Sequence, residues 1–194
     1  MQIITPSVFR ETSTGYERYS VGDMLFNARE VECAGEITPE LAHSIVMQLR
    51  WLQKEDPGKE ITLYVHSCGG SVTAGLAVYD MMQAAGCPVR TVCLGLAASM
   101  GAVIFAGGAS RDILPHARVM LHDPLAVGDR PASALQIQRE AEDIMKVRET
   151  LCGILAHHTG RDINEIYGRT AADCYFNARE AVEFGLADRI VGKI

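Results

Sequence analysis

Ile61-Thr62-Leu63-Tyr64-Val65-His66, then Ser67-Cys68-Gly69-Gly70, then Ser71-Val72-Thr73-Ala74-Gly75-Leu76-Ala77-Val78-Tyr79-Asp80, is the stretch from which the fold can be read. The first six residues are β-branched or bulky and carry no carboxylate or amine, which suits a buried strand. The glycine pair makes a turn, and the small and apolar residues over 71–85 follow it as a helix. A second strand, Pro88-Val89-Arg90-Thr91-Val92-Cys93-Leu94, comes at once. Strand, helix and strand in immediate succession form the unit of a parallel sheet, so the chain belongs to the α/β class.

The same alternation continues on both sides. Upstream, residues 41–52 place Leu41, Ile45, Leu49 and Leu52 on one helical stripe, with Thr38-Pro39-Glu40 as the start signal. Downstream, Gly95 leads to a helix of small residues over 98–106, and residues 117–122 read as a third strand. Beyond Pro124 and Pro131 a helical pattern runs over 132–158, on the order of 40 Å long at 1.5 Å per residue. That is more than a compact domain of this size covers, so part of this helix is expected to project into a partner. A last helix over 177–184 and a closing strand over 187–191 complete the chain, while the Thr, Ser, Gly and charge of residues 1–21 suggest a flexible arm. With no repeat, low-complexity tract or linker, residues 1–194 read as one domain.

Composition narrows the function. The chain has 194 residues, of which 48% are apolar, enough for one core without disulfide or metal staples. The net charge is −6 and no Lys/Arg cluster occurs, so nucleic acid is not an expected partner. Cys33, Cys68, Cys87, Cys93, Cys152 and Cys174 form no C-x-x-C pair, which fits reduced thiols and neither a disulfide frame nor a metal site. The first residues, Met1 to Pro6, lack a charged leader with an apolar core, and no apolar run is long enough for a membrane. A soluble, cytoplasmic chain without a cofactor is the expectation.

The chemistry centres on Gly95-Leu96-Ala97-Ala98-Ser99-Met100-Gly101-Ala102. A serine where a buried strand meets a helix, flanked by Ala and Gly, is a nucleophile signature: small neighbours admit a substrate, and the helix start offers backbone N–H groups. The competing reading is a serine that only caps the helix. Gly69-Gly70 can present a second unobstructed N–H, which with that of Met100 would form a two-donor oxyanion hole. His122 ends a strand and precedes Asp123-Pro124, where a side chain can leave the sheet and face a site; His43, His66, His116, His157 and His158 lack that setting. A base histidine needs an orienting carboxylate, and Asp123, Asp129, Asp143, Asp162, Asp173 and Asp188 are available. The apolar pair Tyr175-Phe176 favours Asp173 among them without deciding the matter.

Residues 95–102, Arg118-Val119-Met120-Leu121-His122-Asp123-Pro124, residues 71–80, His158-Thr159-Gly160 and Ala181-Val182-Glu183-Phe184-Gly185-Leu186-Ala187-Asp188 together resemble the ClpP family, the peptidase subunits of ATP-dependent Clp proteases. The likeness extends over residues 25–191. It implies a ClpP/crotonase-like spiral of β-α-β units, Ser99 as nucleophile, His122 as general base, Asp173 as orienting acid, and the backbone N–H groups of Gly70 and Met100 as oxyanion donors. It also implies a serine endopeptidase acting on unfolded proteins, in heptameric rings that stack into a tetradecamer through the handle helix. A Clp-type AAA+ unfoldase would feed the chamber through a pore bordered by the N-terminal arm, and ATP would be used by that partner.

The chain departs from the family pattern at Cys68 (usually Pro), His66 (often Asn), Asp123 (often Gln), Ala84-Ala85 (often carrying an aromatic) and Ala171-Ala172 (often charged and paired across rings). Asp123 would place a carboxylate next to the base histidine. Three other readings compete. A crotonase-like acyl-CoA enzyme would need an acid near the hole, and the helix after Gly101 has none. An α/β-hydrolase would need its acid between serine and histidine, where Asp112 stands beside Arg111 in an expected loop. The third is a poorly active structural paralogue in a mixed ring.

Overall fold

A computed structural model describes residues 6–125 and 133–194. Residues 1–5 of the expected arm, the candidate acid Asp129 and position 132, the expected start of the long helix, lie outside the described residues. In chain order the elements are β1 (Ser7–Thr12), β2 (Gly15–Ser20), α1 (Val21–Asn27), β3 (Glu30–Ile37), α2 (Pro39–Glu55), β4 (Ile61–Gly70), α3 (Val72–Ala84) and β5 (Val89–Ala98). They continue as α4 (Met100–Ala106), β6 (Ser110–Ile113), β7 (Arg118–Leu121), α5 (Ala134–Thr159), α6 (Ile163–Thr170), β8 (Cys174–Asn177), α7 (Ala178–Phe184) and β9 (Arg189–Ile190).

The main sheet runs β3-β4-β5-β6-β9, all parallel, so the fold is α/β as the alternation predicts. At Gly95, with φ +82°, β5 changes neighbours: Arg90–Cys93 pair with β6, and Leu96–Ala98 pair in parallel with Arg118–Met120 of β7. β8 then adds antiparallel to β7. This fork brings the C-terminal ends of β4, β5 and β7 together, and in open α/β sheets ligands sit at such ends.

Local chemistry accounts for the helices. Thr38 caps α2 by accepting from the Leu41 amide, Pro39 opens it, and Ala42, Ile45, Leu49 and Leu52 form its buried stripe. All seven residues of α4 are buried, so this short helix is the centre of the core. Helix α5 opens with a Ser133/Gln136 capping box and ends at Gly160, whose φ of +69° suits the left-handed cap. Only its last third holds buried residues, Leu151, Cys152 and Leu155.

Several expectations change. Strands β3, β6 and β8 and helices α1 and α6 are additions to the elements expected from sequence. The segment Ser67–Gly70 is not a separate turn: β4 continues through it, pairing Gly69 with Glu36 and Gly70 with Ile37 after a bulge. The described part of the 1–21 arm is a β1–β2 hairpin, because Ser13-Thr14 and Gly15 (φ +134°) close a tight antiparallel pair. Asp112, expected in a loop, lies in β6, fully buried and bonded to Arg90 and Arg189. Among the described residues no helix is long and apolar enough to cross a membrane.

Candidate active site

Ser99 follows the last residue of β5 and precedes the first of α4. Its φ of 54° and ψ of −122° are unusual for a side-chain-bearing residue, and its N–H is held by Met120 O of β7 at 2.9 Å. Its hydroxyl makes no capping bond to the helix. It is bonded instead to His122, with Nε2 2.8 Å from Oγ, so the reading of Ser99 as a mere cap fails.

The strand registers explain the meeting. Ala98 pairs with Met120, so the next residues of two parallel strands, Ser99 and those leading to His122, leave the sheet side by side. Leu121 pairs with Cys174 across the antiparallel β7–β8 ladder, which sets the following residue, His122, opposite the preceding one, Asp173. Asp173 Oδ1 lies 3.8 Å from His122 Nδ1, beyond hydrogen-bond length, and the Asp173 side chain is 65% exposed while that of His122 is 17% exposed. The structure thus joins Ser99 to His122 directly and holds Asp173 adjacent.

The glycines of β4 need to be glycines. Gly69 has φ +99°, and a Cβ on it would lie 2.6 Å from Ser99 Cβ; Gly70 has φ +151°, and a Cβ there would lie 2.5 Å from Ile37 O. Ser71 N–H donates to Ile37 O on β3 at 2.9 Å. Met100 is the first residue of α4, where an N–H has no intrahelical acceptor. Buried Ser67 stiffens this corner: its hydroxyl donates to Gly35 O at 2.5 Å and accepts from Gly69 N–H at 3.0 Å.

A cleft of about 490 Å³ opens over these groups, bordered by Gly70, Ser99, Met100 and His122 and walled by apolar residues such as Val72 and Leu155. Cys68 and Cys152 also face it; burial raises the Cys152 thiol above its ordinary pKa. Sequence reasoning missed Glu36 and Thr170, both on the cleft wall, because each arrives from an element whose position depends on distant pairing.

A family model described as Clp protease matches residues 13–193 of the 194. The chain belongs to the Clp protease family. Its mostly parallel α/β architecture is the fold of that family, and the match runs through every strand that supports the cleft. The crotonase-like and α/β-hydrolase readings are thereby set aside. Asp123, which departs from the family pattern beside His122, turns its carboxylate to α5, where it accepts a 2.7 Å bond from Arg148 Nε.

Proposed function

We propose that the chain is a serine endopeptidase, the chambered proteolytic subunit of an ATP-dependent Clp protease. The observation that carries the reading is the 2.8 Å contact between Ser99 Oγ and His122 Nε2 in an apolar-walled cleft that Gly70 borders. With Nε2 unprotonated, the Ser99 hydroxyl donates to it, and the imidazole takes that proton as Oγ attacks a peptide carbonyl carbon. The carbonyl oxygen becomes an oxyanion that accepts from the N–H groups of Gly70 and Met100. The imidazolium, its Nδ1 side facing Asp173, then gives its proton to the leaving amine as the C–N bond breaks. Water repeats the sequence on the acyl-enzyme, restoring the serine. The 3.8 Å spacing to Asp173 is loose for a resting triad; such contacts tighten when substrate and assembly complete the site.

Family membership supports the wider reading: heptameric rings stacked into a tetradecamer, a Clp-type AAA+ unfoldase as partner, unfolded chains as substrates, ATP used by the partner and no cofactor in this chain. In this reading the whole chain is one peptidase domain, the β1–β2 hairpin borders the axial pore, α5 is the ring-to-ring handle, and the protein works in the cytoplasm. Purified protein given short fluorogenic peptides tests the chemistry. Hydrolysis lost in Ser99→Ala supports it. Equal hydrolysis by wild type and Ser99→Ala would refute it, as would an assembled wild type that cleaves nothing.

A further inference from the structure

We infer that Arg148 and Asp123 act as positioning residues, an intrachain latch that registers the base and acid arms of the site against the long helix. The inference rests on the peptidase reading above. Asp123 directly follows His122. Its carboxylate accepts from Arg148 Nε at 2.7 Å, and its own N–H donates to Thr170 O at 2.7 Å. Arg148 also donates through a terminal nitrogen to Tyr167 O at 3.3 Å and stacks over the Tyr167 ring, 4.3 Å from its centroid.

Tyr167 and Thr170 form the last turn of α6, and the chain passes from there through Ala171-Ala172 to Asp173. One guanidinium on α5 therefore holds both the residue after the base and the turn before the acid. Ala171 and Ala172 have only methyl side chains, so they supply no polar anchor of their own on that route. Cys152, one turn along α5, meets Thr170 through a 3.7 Å Sγ–Oγ1 contact and closes the joint.

Both partners are mostly shielded, with side chains 19% and 34% exposed. Asp123 Oδ1 is buried with no hydrogen-bond partner among the described residues. The carboxylate thus depends on Arg148 for charge compensation, and losing either partner leaves a charge that the loop can relieve only by moving. His122 sits on that loop, and its distance from Asp173 is already at the edge of contact.

The test uses the full-length protein in its native assembly, with a fluorophosphonate as probe and the second-order rate of Ser99 labelling as readout. Arg148→Ala and Asp123→Ala are each expected to slow labelling about tenfold, with peptide KM within about twofold, because transition-state geometry and not ground-state binding is disturbed. The double variant should be no slower than the worse single, the mark of residues acting as a pair. Arg148→Lys should recover most of the rate. Wild-type rates in both alanine variants, losses that simply multiply in the double variant, or slowing that tracks a change in native mass would each overturn the latch. Should the alanine variants fail to fold, Asp123→Asn decides: labelling about threefold slower supports the latch, since the amide oxygen keeps the bond but not the charge, and an unchanged rate overturns it. A folded wild type that is never labelled at Ser99 would overturn the peptidase reading and this inference with it.

Discussion

At Gly69 the backbone approaches Ser99 so closely that a single added carbon lands 2.6 Å from Ser99 Cβ. Gly69→Ala must move either the serine or the end of β4 that carries the proposed Gly70 donor. It is expected to lower kcat by roughly a hundredfold, the scale of losing one oxyanion donor, with the melting temperature measured alongside to separate misfolding from misplacement. The cysteines give a second test. Burial pushes the Cys33 thiol to about 11 and the Cys93 thiol to about 12, whereas Cys68 is exposed on the cleft. A mild alkylating agent at neutral pH should therefore modify Cys68 well before Cys33 or Cys93, and prior occupation of Ser99 should slow it, as read by peptide mass mapping. Ser99 and His122 are legible in the sequence because each carries its context locally, a small-residue strand-to-helix junction and a strand end. Asp173 is not legible by physics alone, since what sets it opposite His122 is the Leu121–Cys174 register of strands more than fifty residues apart in the chain.

The elements tell the same story of local against distant information. The β4–α3–β5 unit is readable because its strands are long, apolar and bounded by turn residues. Strand β6 has only four residues, two of them Arg111 and Asp112, and nothing nearby shows that the Asp112 charge will be met by Arg90 on β5 and Arg189 on β9. Burial alone would push the Asp112 carboxyl up, but hydrogen bonds and charge from Arg189 and Arg90 outweigh it and hold it below the usual carboxylate range. A depressed folded-state value contributes stability above the unfolded pKa, and that contribution is lost as pH falls through the folded value. Arg90→Met leaves the buried carboxylate short of a partner and should cost about 3 kcal/mol at neutral pH. The deficit against wild type should shrink below about pH 4 as the carboxyl protonates. Denaturant titrations at fixed protein concentration would show both effects; a deficit independent of pH would contradict the assigned role of Asp112.

At the scale of the molecule, the described chain leaves apolar side chains in water where a lone domain gains nothing from them. Leu135 and Ile137, in the first turns of α5, are 68% and 58% exposed, and the buried residues of that helix lie near its other end. The excess length is readable from sequence as periodicity without a matching core; what covers it is not written in one chain. If α5 is the ring-to-ring handle, replacing Leu135 and Ile137 together by Glu should lower the native mass from a double ring to single rings, since burying two charges against a partner opposes association. An unchanged mass would assign the helix another role. The most direct test of the Ser99–His122 chemistry is intact-mass analysis of the assembled protein after treatment with a fluorophosphonate. A single adduct per chain is expected, mapped to Ser99 and absent from both Ser99→Ala and His122→Ala. An unlabelled wild type, or an adduct that persists in Ser99→Ala, would contradict it.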